Sequence, residues 1–251
     1  MSLAQYRASP LETQRTDDLL RLMPAAGASA LDVGARDGHF SVLLAERFDR
    51  VTALDLTLPS ISHPKVECVQ GDATRLAYPD ASFDFVFCAE VLEHIPAELL
   101  GTVCGELQRV CKGQLLIGVP YRQDTRVGRT TCRSCGGKNP PWAHLNSFDD
   151  ARLGALFAGS TLRGKSFVGQ STERTNALSC WLMDLAGNPF GTYAQEEPCI
   201  HCDRPLVAPP PRSFQRKVLT KLAFWARKPT TLFSRPRPNW IHLLLARKQD
   251  A

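Results

Sequence analysis

Short apolar runs punctuate the first half of the chain. Each is followed by a stretch in which apolar residues recur every three or four positions. The runs are Ala30–Gly34 (ALDVG), Arg50–Leu56 (RVTALDL), Val66–Asp72 (VECVQGD), Phe83–Val91 (FDFVFCAEV) and Gly113–Tyr121 (GQLLIGVPY). They read as strands covered on both faces, because their apolar residues are consecutive rather than alternating. After the first run, Phe40, Leu43, Leu44 and Phe48 make a helical stripe. A second helix is predicted over Ile95–Cys111, with Leu99, Leu100, Val103 and Leu107 on its apolar face and Pro96 in its first turn. Leu162–Gly169 and Trp240–Lys248 supply two more strands. Strand and helix in alternation predict an α/β fold with a parallel sheet between two layers of helices. Such sheets bind ligands outside the carboxyl ends of their strands. The acids at those ends, Asp55 and Asp72, therefore point into a site.

The organisation that follows is discontinuous. Residues 1–28 form an N-terminal helical segment and 29–121 the core. A first insertion spans 122–148, and 149–170 return a helix and strand to the core. A second insertion spans 171–238, and 239–251 carry the last strand. A capping box at Ser147-Phe148-Asp149-Asp150 is expected to open the returning helix.

Charge changes this picture in one place. The chain of 251 residues has 30 basic and 25 acidic residues, a net charge of +5. Nine of the basic residues and none of the acidic ones lie between Asp203 and Asn239. The basicity is thus local and argues against a general affinity for nucleic acid. Within that segment a helix is expected over Ser213–Arg227. It has Phe214, Val218, Leu222 and Trp225 on one face and Lys217, Lys221 and Lys228 on another. Two readings stand: an interfacial helix on an anionic membrane, or a lid helix packed on the domain with its lysines solvated. A third is contact with phosphate, in a lipid-linked sugar or in RNA. The first twenty residues contain no apolar run of the secretory type. No stretch approaches the roughly 18–20 apolar residues that span a bilayer. The expectation is a cytoplasmic protein, peripheral at the inner membrane face if the basic helix meets lipid.

Cysteine usage adds a metal question. Nine cysteines is an odd number, which argues against a complete disulfide framework. Cys68, Cys88, Cys104, Cys111 and Cys180 fall on apolar elements and read as core. The other four form two Cys-x-x-Cys pairs, Cys132/Cys135 and Cys199/Cys202, one in each insertion. Two such knuckles can supply four thiolates in a tetrahedron, a closed structural zinc site. A redox dithiol and two unrelated pairs are the alternatives, and His144 and His201 are candidate substitute ligands. Joined by zinc, the insertions would make a lid over the substrate pocket.

The strand-end residues carry a family resemblance. LDVGARDGHF, VTALDL, QGDATRLAYPDASFDFVFCAEVLEHI and GQLLIGVP are similar to the motifs of class I S-adenosylmethionine-dependent methyltransferases, in particular the small-molecule group with an EVLEHI-type fourth strand. The resemblance spans Leu31 to Pro120. It implies a Rossmann-like seven-stranded sheet, mostly parallel, whose last strand is antiparallel. It also implies S-adenosylmethionine as cofactor, with Asp32, Gly34 and Gly38 at the methionine moiety, Asp55 at the ribose, and Asp72 and Ala73 at the adenine. Glu90 counts among the cofactor-binding residues. Arg36 stands where the family's second glycine is usual.

Methyl transfer from a sulfonium needs alignment and exclusion of water more than acid–base work. An oxygen nucleophile also needs a base, for which Glu90, His94 and His144 are the candidates. The expected function is methyl transfer to an oxygen of a small-molecule or glycan acceptor, lipid-linked glycans included. One alternative is an RNA or protein methyltransferase that recognises its substrate through the zinc lid and basic segment. Another is a non-catalytic binding protein on the same fold. The segment after the fifth strand, TTCRSCGG to PWAHLNSFDDARLGALF, resembles bacterial methyltransferases of cell-surface glycan synthesis.

Overall fold

The structure is a computed structural model that describes residues 7–248. The chain divides into two compact units. The first holds the chain up to Tyr121, Phe148–Gly169, and everything from Pro238 onward; the second holds Arg122–Ser147 and Gln170–Arg237.

The first unit opens with helix α1 (Pro10–Leu22), capped by Ser9, whose hydroxyl accepts from the Glu12 backbone. Strand β1 (Gly27–Val33), helix α2 (His39–Ala45), β2 (Phe48–Asp55), β3 (Val66–Gln70), β4 (Phe83–Ala89), helix α3 (Leu100–Val110) and β5 (Cys111–Pro120) follow. After the second unit's first segment come helix α4 (Asp150–Leu156) and, counting that segment's strands β6 and β7, strand β8 (Ser160–Val168). The last strand is β9 (Trp240–Arg247). The seven long strands form one sheet in the order β3-β2-β1-β4-β5-β9-β8. Strands β1 to β5 are parallel, and β9 runs antiparallel to both β5 and β8. The expected sheet, mostly parallel with an antiparallel last strand, is what forms.

Its two faces explain the continuous apolar runs. Leu31, Val33, Val86, Cys88, Leu115 and Ile117 pack on one side with Val103 and Leu107 of α3. Ala30, Phe85, Phe87 and Leu116 pack on the other with Leu19 of α1 and Leu44 of α2. Successive strand residues alternate between the two cores, so apolar residues run consecutively, with Asp32 in β1 a buried exception.

Several element boundaries differ from the sequence reading; Phe48, read in the first helical stripe, opens β2 instead. The helix predicted from Ile95 begins at Leu100. Residues Leu92–His94 form a short 3-10 turn instead, and Ile95 is extended, because the residue before a proline is pushed out of the helical region. Helix α4 is capped by Asp149, which accepts from the Arg152 backbone, rather than by Ser147.

The second unit contains a small hairpin, β6 (Thr130–Thr131) with β7 (Lys138–Asn139), and two helices. These are α5 (Ala177–Leu185), capped by Asn176, and α6 (Phe214–Leu232), capped by Ser213. They pack through small and polar groups. The Ser179 hydroxyl donates to the Ala223 carbonyl at 2.8 Å, and the Asn176 amide donates to the Ala226 carbonyl and to Thr230. Helix α6 continues five residues beyond the predicted Arg227.

Candidate functional site

The carboxyl ends of β1 to β4 lie side by side, and the residues singled out in the sequence stand on them. Val33 at the end of β1 is followed by Gly34, at φ +78°; its N–H donates to the Leu54 carbonyl at 2.8 Å. A Cβ at Gly34 would come within 2.3 Å of Val91, so no side chain fits. Gly38, at φ +81°, opens α2, and a Cβ there would lie 2.4 Å from Ile61. Arg36 also takes positive φ, at +50°. The loop thus keeps a glycine-like backbone where arginine replaces glycine. The Arg36 N–H donates to the Asp55 carboxylate at 2.9 Å, closing the turn onto the end of β2. One step along the sheet, Asp72 accepts from the Thr74 backbone at 2.8 Å and Ala73 is buried. Asp32 lies within β1, 2 % exposed, and accepts from the Ser41 hydroxyl at 2.5 Å. Burial, only partly offset by Ser41, pushes its carboxyl up to about 7.

Glu90 follows β4 at φ +58°, a conformation costly for a non-glycine residue. Its carboxylate accepts from the Trp240 indole N–H at 3.2 Å, and the Arg15 guanidinium lies 3.7 Å from its other oxygen. Arg15 is itself buried, donates twice to Glu12, and lies over the rings of Phe40 and Trp240. Burial raises the Glu90 carboxyl, while Arg15 and Trp240 pull it back. Glu12 and Arg15 escaped the sequence reading, since an acid and a base three apart on a helix usually form a solvated pair. Both are buried here because α1 covers the sheet.

Glu93, three residues on, is 0 % exposed, and neither carboxylate oxygen meets a side-chain donor among the described residues. Burial, reinforced by the neighbouring charge of Glu90, holds its carboxyl well above the carboxylate range, with only weak help from its own backbone N–H. The sequence signal was a second glutamate inside the apolar turn EVLEHI. His94 is half-buried on the same turn. His144 belongs to the second unit, where its ring meets the Gln123 side chain at 2.7 Å.

The donor set suits S-adenosylmethionine. Asp55, Asp72 and Glu90 offer carboxylate oxygens along one line of strand ends, and one buried oxygen of Glu90 meets no hydrogen-bond donor among the described residues. The cofactor presents ribose hydroxyls, an adenine amine, an ammonium and a sulfonium, all of which seek acceptors or anions.

The four cysteines of the two knuckles converge inside the second unit, their sulfurs all within 4.8 Å of one another. Cys132 and Cys202 are 3.7 Å apart at sulfur, as are Cys135 and Cys199. The knuckles repeat one backbone pattern. Cys132 N–H donates to the Gly137 carbonyl and Gly136 N–H to the Cys132 carbonyl. Cys199 N–H donates to the Arg204 carbonyl and Asp203 N–H to the Cys199 carbonyl, at the same offsets. Gly136 and Asp203 both take positive φ, at 73° and 58°. The Asn139 amide oxygen accepts from Ile200 N–H and joins the two knuckles. His201 is turned to the Lys138 carbonyl. The cluster of four holds neither His144 nor His201. Backbone N–H groups, first that of Cys135, bring the Cys132 thiol down to about 6.

Comparison with known proteins agrees with the strand-end geometry. Residues 31–116 match the family model described as a methyltransferase domain. A Mycobacterium tuberculosis protein named "Probable S-adenosylmethionine-dependent methyltransferase" is 27% identical over 67% of this chain and 68% of its own length. The ubiquinone biosynthesis O-methyltransferase of Xylella fastidiosa is 33% identical over 34% of this chain and 39% of its own. Among solved structures, the N-methyltransferase NodS of Bradyrhizobium japonicum superposes with a TM-score of 0.55. It is 13% identical and covers 97% of this chain and 99% of its own, a likeness of fold. The chain is an S-adenosylmethionine-dependent methyltransferase in type.

Proposed function

We propose that the enzyme moves a methyl group to an oxygen of a small-molecule or glycan acceptor by in-line displacement. The observation that carries the reading is the row of acceptors at the ends of β2, β3 and β4, Asp55, Asp72 and Glu90, beside a glycine turn that Asp55 holds closed. When bound, S-adenosylmethionine supplies an electrophilic methyl carbon and a neutral leaving group. Gly34 and Gly38 would hold its methionine end, Asp55 the ribose, and Asp72 with Ala73 the adenine. Glu90, fixed by Trp240 and Arg15, places a carboxylate toward the positive end. Oxygen as the accepting atom is supported by the Xylella relative, named an O-methyltransferase. We assign the acceptor proton to His94, with His144 as the alternative. The test is calorimetric titration with S-adenosylmethionine, then transfer of a deuterated methyl to hydroxylated small molecules, sugar nucleotides and lipid-linked glycans. Substituting H94A should lower kcat with cofactor affinity kept, and E90Q should lower that affinity. If H144A, rather than H94A, carries the kcat loss, the proton passes to the alternative.

The four cysteines would hold a structural zinc. A tetrahedral zinc with Zn–S near 2.3 Å sets its sulfurs about 3.8 Å apart, close to the 3.7 Å of the two pairs above. Four thiols this close cannot all ionise without a cation between them. The Arg204 N–H favours the Cys202 thiolate, but burial and hydrogen bonding to the Cys135, Cys199 and Cys132 sulfurs outweigh it and lift the Cys202 thiol to about 12. A four-thiolate site leaves no open position, so its metal ties the knuckles together and does no chemistry on substrate.

A further inference from the structure

Helix α6 buries the wrong side chains for an ordinary surface helix. Its buried residues are Thr220 and Ala223, which face α5. Its large apolar residues are on the opposite side: Phe214 is 80 % exposed, Trp225 62 %, Leu222 48 % and Val218 41 %. At 100° per residue these four fall within one stripe, which Leu232, 77 % exposed, continues at the far end. A shallow hollow of about 190 Å³ lies on the stripe between Val218, Lys221, Leu222 and Trp225. The helix packs on α5 through its small residues and leaves the apolar stripe uncovered. Contiguous apolar surface of this kind on a charged helix marks a place where something else is meant to sit.

Charge says what that is. Lys217, Lys221 and Lys228 lie along one flank of the stripe, and the Lys221 and Lys228 ammoniums are 6.0 and 5.9 Å from the Trp225 ring. The helix has no acidic residue, nor has the chain from Arg204 to Asn239. The second unit as a whole carries fifteen basic and six acidic residues. A second copy of this face would bring lysine against lysine. An anionic bilayer instead offers hydrocarbon to Phe214, Leu222 and Trp225 and headgroup phosphates to the lysines, whose long stems let the charge rise to headgroup level. A tryptophan flanked by lysines suits that boundary.

We propose that the outward face of α6 docks the protein on an anionic lipid surface, with the helix lying in the plane of the interface. No helix among the described residues is long and apolar enough to cross a membrane, so the attachment is to one leaflet. The proposal does not depend on which acceptor the enzyme methylates, and vesicle binding needs neither cofactor nor turnover.

The test is co-sedimentation of the full chain with vesicles of phosphatidylcholine alone or mixed with phosphatidylglycerol, beside sedimentation velocity without lipid. Binding at least about tenfold tighter to the anionic vesicles, weakened by salt, is expected. The double variant L222E/W225E should lose it while keeping the wild-type thermal midpoint, because both side chains face solvent. The triple variant K217E/K221E/K228E should lose the preference for anionic lipid. Failure to bind either vesicle, equal binding to both, or binding that survives L222E/W225E would overturn the proposal. So would a dimer that L222E/W225E dissolves, if the wild type does not partition into vesicles.

Discussion

The Arg15 guanidinium lies 3.7 Å from a carboxylate oxygen of Glu90 while donating two hydrogen bonds to Glu12, so one buried cation serves two acids. Replacing it with an apolar residue removes two charge-assisted hydrogen bonds from Glu12, which is 2 % exposed. R15M should cost about 3–5 kcal/mol of stability, read from the urea midpoint. The double variant E12Q/R15M should recover much of that. Arg15 also lowers a Glu90 carboxyl that burial raises. If the ionised carboxylate assists the cofactor, its loss sets the acid limb of activity. In R15M that limb should move to higher pH, and in R15K it should stay nearer the wild type. An unmoved limb in R15M would show that Glu90 does not titrate in the reaction.

Asp32 should make its own mark on stability against pH. Its carboxyl titrates at about 7 in the folded chain, raised by burial from an ordinary value of 3.8. A raised folded value means the native state binds the proton more tightly than the unfolded chain. The contribution is thus fully present below about pH 4 and lost as pH rises to about 7, a withdrawal on the order of 4 kcal/mol. D32N should lack that decline. Denaturant titrations at several pH values should show the two proteins diverging between these limits; parallel curves would mean that Ser41 and the turn keep Asp32 ionised throughout.

The glycine turn can be tested by two substitutions that act differently. G34A meets Val91 at 2.3 Å and takes a side chain to φ +78°. It should destabilise by about 1–3 kcal/mol, and G34A/V91A should return the part due to the clash. D55A removes the acceptor of the Arg36 N–H and the proposed ribose partner. It should weaken S-adenosylmethionine binding by at least about tenfold, near 1.4 kcal/mol, with a smaller effect on folding. Calorimetric titration separates the two, and unchanged affinity in D55A would move the ribose elsewhere.

Metal removal should act on the second unit. Purified protein should carry one zinc by elemental analysis, and C132S or C199S should abolish it and lower the thermal midpoint. C88S, buried in the sheet core, should leave the metal content unchanged. Chelation of the wild type should reproduce the midpoint of C132S. Full zinc occupancy in C132S/C199S would rule out the four-cysteine site.

Sequence alone determined the sheet and much of its ligand-facing edge. Val33, Leu54, Phe87 and their neighbours can be apolar on both sides only inside a covered parallel sheet. In such a sheet Gly34, Asp55, Asp72 and Glu90 must emerge at one edge, since every strand carries its chemistry at the same end. The four cysteines were legible for a similar reason: each pair is a local turn with its own spacing. Their convergence across 63 intervening residues, and the matching hydrogen bonds of Gly136 and Asp203, required the fold. Tertiary structure alone decided the fate of charges and faces. Glu12 and Arg15 are buried because α1 lies on the sheet, and Glu93 is buried because its turn folds inward; neither burial is written in a three-residue spacing. The apolar stripe of α6 could have faced protein or solvent with equal periodicity. It faces outward because α5 meets the opposite side, where Thr220 and Ala223 are small enough for the Ser179 hydroxyl to reach the helix backbone.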